Sequence, residues 1–178
     1  WVQRRQGVGV LVLMRPIDYP LSAQARFSQN LLEQGSHPTS EKLLSVLRPA
    51  SSQVADAFAI SEGDNVIHLR TLRRVNGVAL CLIDHYFADL QLWPVLQTFT
   101  HGSLHDLLRN RLDIELTRVR TKISARRAQA KESRILGIPN MAPLLCVRTL
   151  NHRQGEQSAT EYSVSLTRAD MIEFTMEH

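Results

Sequence analysis

Alternation of apolar and polar residues is the most frequent pattern in this sequence, and it predicts β-strands. Two alternating stretches, 65–75 and 78–87, are separated only by Asn76-Gly77, the dipeptide that most strongly favours a two-residue β-hairpin turn. Four further strands are predicted at 38–49, 114–126, 144–152 and 158–167. Strands joined by such tight turns are typical of an antiparallel sheet.

In the segments between these strands, apolar residues recur at helical spacing. Helices are predicted at 21–32, 51–60, 93–100, 103–112 and 128–136. Ser103 and Asp106 have the spacing of a capping box, and Gly137 ends the last helix. Because strands follow one another through hairpins or single helices, without strict β-α-β order, the sequence predicts an α+β fold with an antiparallel β-sheet flanked by helices.

The composition indicates a globular chain with a strong preference for arginine. The 178 residues are 43% hydrophobic and 21% charged, which suits one domain with a core. The 21 basic residues are mostly arginine, and the net charge is +4. The planar guanidinium favours carboxylate and phosphate partners. No apolar run approaches the roughly 18 residues that a membrane-spanning helix needs.

Sequence motifs for catalysis, cofactors and metals are not found. The nucleophile-elbow, zinc-protease, Walker and dinucleotide motifs are absent. His101 and His105 are four residues apart, but Gly102 and the helix cap break the spacing of a metal pair. Cys81 and Cys146 lie in apolar runs, which favours buried thiols in a reducing compartment. The sequence predicts no catalytic residue, no cofactor and no metal site.

Arg73 is the most informative charged residue. On a strand with period two it shares a face with four less polar residues: Ile67, Leu69, Thr71 and Val75. A guanidinium in that position needs an anionic partner, which is either a carboxylate such as Asp84 or Glu161 or a bound anion. Arg70 and Arg74 belong to the opposite face, where we expect them to be solvated.

Two other cationic features have ordinary structural explanations beside the functional ones. The helix start at Ser103 offers free N–H groups and a positive dipole end to an anion, as any capped helix does. The strand at 114–126 is expected to carry a basic face that contacts nucleic acid or is merely solvated. That face is formed by Arg118, Arg120, Lys122 and Arg126.

The first residues combine a basic pair with a glycine turn. Arg4 and Arg5 precede Gly7-Val8-Gly9, and alternating valines follow, so residues 2–12 predict a short hairpin. An ordinary glycine-rich hairpin would have the same pattern. Because the sequence opens on Trp1 in the middle of this pattern, we expect a fragment of a longer protein.

The order of motifs along the chain resembles the UTRA effector domain of HutC-subfamily GntR regulators. The segment at 26–43, the Asn76-Gly77 hairpin, the sequence GSLHDLL at 102–108 and the block at 128–170 follow the family order. The opening hairpin resembles the wing of their winged helix-turn-helix domain. The resemblance implies that 1–13 is a remnant of that wing and its linker. It also implies that 14–178 is a chorismate lyase-like effector-binding and dimerisation domain.

The resemblance also implies a ligand site. Family members hold a phosphate at positions that match Ser28, Arg73, Ser103 and His105. Asp84 and Glu161 match positions that face the rest of the ligand. Thr71 replaces a second family arginine and His105 replaces an aromatic residue, so we expect the anion to be held differently here.

Within the subfamily, the chain is most similar to repressors of bacterial phosphonate-utilisation operons. The similarity implies a cytoplasmic homodimer that binds a small phosphonate, phosphate or phosphorylated effector and thereby modulates operator binding. Arg4 and Arg5 would contact DNA phosphates. Two alternatives stay open: an enzyme of the chorismate lyase type and a dimerisation module without ligand.

Overall fold

The computed structural model describes residues 2–5, 9–12, 16–21, 31–32 and 35–176, with side chains described from residue 16 onward. The strands are β1 (Val2–Arg5), β2 (Gly9–Val12), β3 (Ile17–Pro20), β4 (Pro38–Pro49), β5 (Asn65–Val75), β6 (Val78–Phe87), β7 (Leu116–Arg127), β8 (Pro143–Arg153), β9 (Ala159–Arg168) and β10 (Ile172–Thr175). The helices described over their full length are α1 (Ser52–Phe58), α2 (Trp93–Leu96), α3 (Leu104–Leu112) and α4 (Ala130–Leu136). A 3-10 turn at Leu90–Leu92 precedes α2.

Six strands form the central sheet in the order β4-β5-β6-β9-β8-β7, and every neighbouring pair is antiparallel. The predicted α+β class with an antiparallel sheet is confirmed. The β5–β6 hairpin turns at Asn76 and Gly77, whose φ angles are 50° and 81°. Both residues occupy the left-handed region that this two-residue turn requires, so the dipeptide explains the turn.

Helices cover both faces of the sheet, and we name each face after a helix. The α3 face carries Ile67 and Leu69 of β5, which pack with Phe87 of β6 and with Leu96 and Leu108 of the α2–α3 layer. The α4 face packs against α1 near one end of the strands and against α4 near the other. Because both faces are covered, nearly every side chain of β6 is buried.

A short parallel pair, β3 with β10, packs on the α3 face and was not predicted from the sequence. It joins two distant parts of the chain through Ile17 N–H to Met171 O, at 2.8 Å, and Leu21 N–H to Thr175 O, at 2.9 Å. Four-residue strands show little periodicity, and their pairing depends on contacts far apart in sequence. The pair leaves an opening between itself and the α2–α3 layer.

Most predicted elements are confirmed, with small shifts at their ends. β1 pairs with β2 as the predicted hairpin, and β4 spans the predicted 38–49. The predicted helix at 93–100 ends at Leu96, and the one at 128–136 begins at Ala130 after the N-cap Gln129. Of the predicted helix at 21–32, residues 22–30 lie outside the described part of the chain.

Candidate functional site

A cavity of about 610 Å³ lies between the α3 face of the sheet, the start of α3 and the β3–β10 pair. The sheet supplies its floor through side chains of five strands. The floor residues that matter below are Arg73, Cys81, His85, Arg118, Thr149, Asn151, Ser163, Ser165 and Thr167. The walls include Ser103, His105, Asp106 and Arg109 of α3 and its cap, together with Tyr19 and Phe174.

Arginine is the main cation of this cavity. Arg73 of β5, Arg109 of α3 and Arg118 of β7 line it, so three separate elements each contribute an arginine to one space. Arg109 donates to Asp106 at 2.5 Å, and Arg118 donates to the Tyr19 hydroxyl at 3.3 Å. Guanidinium groups fit the oxygens of phosphate and carboxylate in pairs, so this arrangement suits a small anion.

The start of α3 forms the wall of the cavity beside these arginines. Ser103 is the N-cap, and its Oγ accepts a hydrogen bond from Asp106 N–H at 3.1 Å. Gly102 N–H donates to Ser40 O at 2.9 Å, which holds the helix start against the edge strand β4. Ser103 and His105 line the cavity together with the three arginines, so the positive end of the α3 dipole lies at the cavity wall.

A fully buried carboxylate, Glu161 of β9, lies behind the cavity wall. Its Oε1 accepts from His85 Nδ1 at 2.6 Å, and its Oε2 accepts from His105 Nε2 at 2.8 Å and from Asn151 Nδ2 at 2.6 Å. Burial opposes ionisation, but the electrostatic attraction of His105 and the hydrogen bonds from both histidines hold the pKa of Glu161 well below its ordinary value. Glu161 is therefore an anion at neutral pH.

His85 is neutral beside this anion. Burial lowers its pKa below the ordinary value, and Glu161 opposes this shift only in part. A neutral imidazole that donates from Nδ1 to Glu161 has Nε2 available as an acceptor, and the Thr71 hydroxyl lies 3.1 Å from Nε2. The network thus assigns one tautomer to His85.

Cys81 adds a protonated thiol to the floor. Burial raises its pKa, whereas the nearby charge of Arg73 and hydrogen bonds with Ser165 and Thr167 oppose that rise. Cys81 is a free buried cysteine, as the sequence predicts, while Cys146 is free but only half-buried. The floor around Cys81 therefore presents hydroxyl and thiol groups, without a nucleophilic thiolate.

The UTRA domain model matches residues 33–173 of this chain. The chain belongs to the UTRA domain family. It is 82% identical to the probable transcriptional regulator PhnF of Escherichia coli K12, over the whole chain and 74% of that protein. The crystal structure of a PhnF C-terminal domain is 79% identical and superposes with a TM-score of 0.76, covering 89% of this chain and 99% of that one.

A more distant structure shows the same fold. PhnF from Mycobacterium smegmatis is 23% identical, with a TM-score of 0.83 over 99% of this chain and 77% of that one. The identification as a UTRA domain of a transcriptional regulator, made from the motif order, is confirmed. Among the described residues of this UTRA domain, no helix has the length and apolar character that crossing a membrane requires.

Asp84 lies on the opposite face of the sheet from the cavity, which corrects the prediction that it faces a ligand. Asp84 accepts from Arg70 Nε at 2.7 Å and Nη2 at 2.9 Å, and its Oδ1 lies 2.6 Å from His68 Nε2. Burial would raise the pKa of Asp84, but these hydrogen bonds outweigh it and lower the pKa. The expectation that Arg70 is simply solvated is also wrong, since Arg70 pairs with the mostly buried Asp84. Arg74 is exposed, as expected, and pairs with the exposed Glu41 at 3.2 Å.

A β-bulge explains the reversal of Asp84. In an uninterrupted hairpin around Asn76-Gly77, Asp84 would stand opposite Leu69, on the α3 face. Instead Arg73 pairs with Cys81 and Arg74 with Ala79, which leaves Leu80 as an extra residue. One extra residue moves every later side chain of the strand to the other face, so His85 and not Asp84 pairs with Leu69.

A second bulge corrects the predicted basic face of β7. Arg118 pairs with Asn151 and Arg120 with Leu150, so Val119 is the extra residue. Arg118 consequently lines the cavity, whereas Arg120 and Lys122 lie on the opposite side of the strand. The bulge thus removes Arg118 from the predicted basic face, whereas Arg120, Lys122 and Arg126 still share one side of the strand.

The other predicted site residues fall into two groups. Arg73, Ser103 and His105 line the cavity, and Glu161 lies directly behind it. Ser28 lies outside the described residues, and so do the side chains of Arg4 and Arg5, whose backbone forms part of β1. Arg109 was not predicted from the sequence, although it lies four residues after His105 on a predicted helix and therefore shares its face.

Proposed function

We propose that this UTRA domain binds a small phosphonate, phosphate or phosphorylated ligand in the cavity between its sheet and α3. The convergence of Arg73, Arg109 and Arg118 with the capped start of α3 is the observation that carries the proposal. A tetrahedral anion in such a site can accept hydrogen bonds from guanidinium groups and from backbone N–H groups at a helix start. Two carboxylates, Asp106 and Glu115, also line the cavity, and Asp106 is neutralised by Arg109.

The proposed biological role is that of the effector-binding part of a cytoplasmic repressor of phosphonate uptake and utilisation genes. The motif order and the identity with PhnF of Escherichia coli support this role. A ligand that prefers one arrangement of the protein shifts the population toward it, and the operator affinity of an N-terminal winged-helix domain changes by the corresponding coupling free energy. Catalytic side chains are not part of the proposal.

A thermal-shift series tests ligand binding directly. We expect inorganic phosphate or methylphosphonate to raise the melting temperature of the domain, while sodium chloride at matched ionic strength does not. At about 100 times the dissociation constant, binding stabilises the native state by about 2.7 kcal/mol. For a domain of this size, that corresponds to a shift of roughly 5 to 10 °C. Equal curves with and without each anion would refute the proposal and favour a dimerisation module with no ligand.

We also propose that the domain forms a homodimer. Two-fold dimers are the most frequent oligomers, and regulators with winged helices bind paired half-sites on DNA. Sedimentation equilibrium of residues 1–178 should give twice the monomer mass of 20.2 kDa at tens of micromolar protein. A monomer under those conditions would contradict this part of the proposal. The same sample should bind operator DNA weakly, because phosphate contacts alone do not select a sequence.

A further inference from the structure

We infer that Glu161 is a positioning residue that holds the wall of the proposed anion site and does not itself contact the ligand. The inference rests on the proposed function, since the site it positions is the one proposed above. The Glu161 side chain is 0% exposed. Both carboxylate oxygens are engaged by protein donors, which stand between Glu161 and the cavity.

The donors to Glu161 come from three different elements. His85 belongs to β6, Asn151 to β8 and His105 to the first turn of α3, and each of the three lines the cavity. A buried carboxylate is costly unless it is fully hydrogen-bonded, so the native state keeps these three donors directed at it. One carboxylate therefore fixes the orientation of three cavity-lining residues that are far apart in the sequence.

The contact with His105 gives Glu161 its influence on the anion site. His105 lies two residues after the cap Ser103, so its 2.8 Å contact with Glu161 ties the first turn of α3 to β9. The backbone N–H groups of that turn, the Ser103 hydroxyl and Arg109 all depend on where the helix start lies. Loss of the carboxylate would let the helix start move relative to Arg73 on the sheet, and small misplacements of this kind weaken multidentate binding.

The Glu161→Gln variant provides the main test. In Glu161→Gln the side chain keeps its size, but one of its two acceptor atoms becomes a donor, so it cannot accept from His85, His105 and Asn151 together. We expect the affinity for inorganic phosphate and for methylphosphonate, measured by calorimetry on residues 1–178, to fall about tenfold or more. Glu161→Asp keeps the charge with a shorter reach and should recover part of the affinity.

Glu132→Gln is the matched control for a general loss of stability. Glu132 is also a mostly buried carboxylate in a short ion pair, with Arg126 at 2.6 Å, but it belongs to α4 on the other side of the sheet. The Glu132→Gln substitution should lower the melting temperature and leave the anion affinity unchanged. An equal loss of affinity in Glu132→Gln and Glu161→Gln would overturn the inference, and so would unchanged affinity in Glu161→Gln.

The imidazole N–H of His85 gives a measurement that does not need a ligand. In the unliganded protein, the proton that joins His85 Nδ1 to Glu161 should give a strongly downfield NMR signal, because the contact is short and charge-assisted. The signal should persist in Glu132→Gln and move upfield or vanish in Glu161→Gln. If Glu161→Gln does not fold, Glu161→Asp should show a shifted signal and an intermediate affinity.

The two measurements separate this inference from the proposed function. If the unsubstituted protein binds neither anion, the proposed function fails, and the inference about a ligand site fails with it, even where the NMR signal shows that Glu161 orients His85. If the protein binds anions and the His85 signal is unchanged in Glu161→Gln, the proposed function stands and the positioning role is overturned.

Discussion

Arg73→Ala is expected to abolish the rise in melting temperature that phosphate or methylphosphonate produces. Arg73 lines the floor of the cavity on the side that faces α3. A charge-assisted hydrogen bond to a partly desolvated anion contributes roughly 1.5–3 kcal/mol, which corresponds to about a tenfold to hundredfold loss of affinity. Calorimetry and melting curves of the variant, each with and without the anion, measure this loss.

A structural role for Arg73 would give a different result. The two carboxylates considered as its partners are held by other side chains: Asp84 by Arg70 and His68, and Glu161 by His85, His105 and Asn151. Because Arg73 is only half-buried, we expect the unliganded variant to stay folded, with a melting temperature close to that of the parent. A large fall without ligand, together with an unchanged ligand shift, would show that Arg73 is structural and refute its place in the site.

Arg74→Ala is the matched control for this experiment. Arg74 is the next residue on β5 and projects from the opposite face, where it pairs with Glu41 at 3.2 Å. Both side chains of that pair are well exposed, at 38% and 52%, so the pair contributes at most about 1 kcal/mol to stability. Arg74→Ala should keep the full anion-induced shift.

Asp84→Asn is expected to destabilise the domain by about 3 kcal/mol without weakening anion binding. The Asp84 side chain is 11% exposed and accepts two hydrogen bonds from Arg70, which is 29% exposed. Removing one partner of a buried pair leaves the other charge without compensation, and the partial exposure of Arg70 places the effect at the lower end of the usual range. Urea unfolding at neutral pH measures the loss.

The pH dependence of this effect has a definite sign. The pKa of Asp84 is lower in the folded protein than its ordinary value, because hydrogen bonds from His68 and Arg70 outweigh burial. A carboxyl with a lowered pKa stabilises the native state above its unfolded pKa of about 3.9, and the contribution is lost as pH falls through the folded value. The difference between parent and variant should thus be complete at pH 7 and shrink in strong acid.

Anion affinity is the decisive measurement on Asp84→Asn. The carboxylate lies on the α4 face, so calorimetric titration with phosphate should give the parent value as long as the variant is folded. A tenfold loss of affinity in folded Asp84→Asn would mean that Asp84 reaches the ligand after all, and that the placement of the β6 side chains is wrong.

The sequence by itself determined the features that depend on local interactions. Asn76-Gly77 predicts the β5–β6 turn because few other dipeptides adopt positive φ at both residues. Ser103 with Asp106 predicts the start of α3, where the side-chain cap is indeed formed. The inward orientation of Arg73 follows from alternation along β5, a strand with no bulge between Ile67 and Val75 on its own side.

Only the tertiary structure decided which polar residues of the neighbouring strands reach the cavity. A bulge at Leu80 places His85 instead of Asp84 on the cavity face of β6. A bulge at Val119 places Arg118 and Arg120 on opposite faces of β7. Both faces of β6 are covered, so apolar residues occupy nearly all its positions. Without a clear apolar–polar alternation, the position of the bulge could not be predicted from the sequence. The role of Glu161 was equally hidden, because its three donors are distant in sequence and meet only when β6, β8, β9 and α3 pack together.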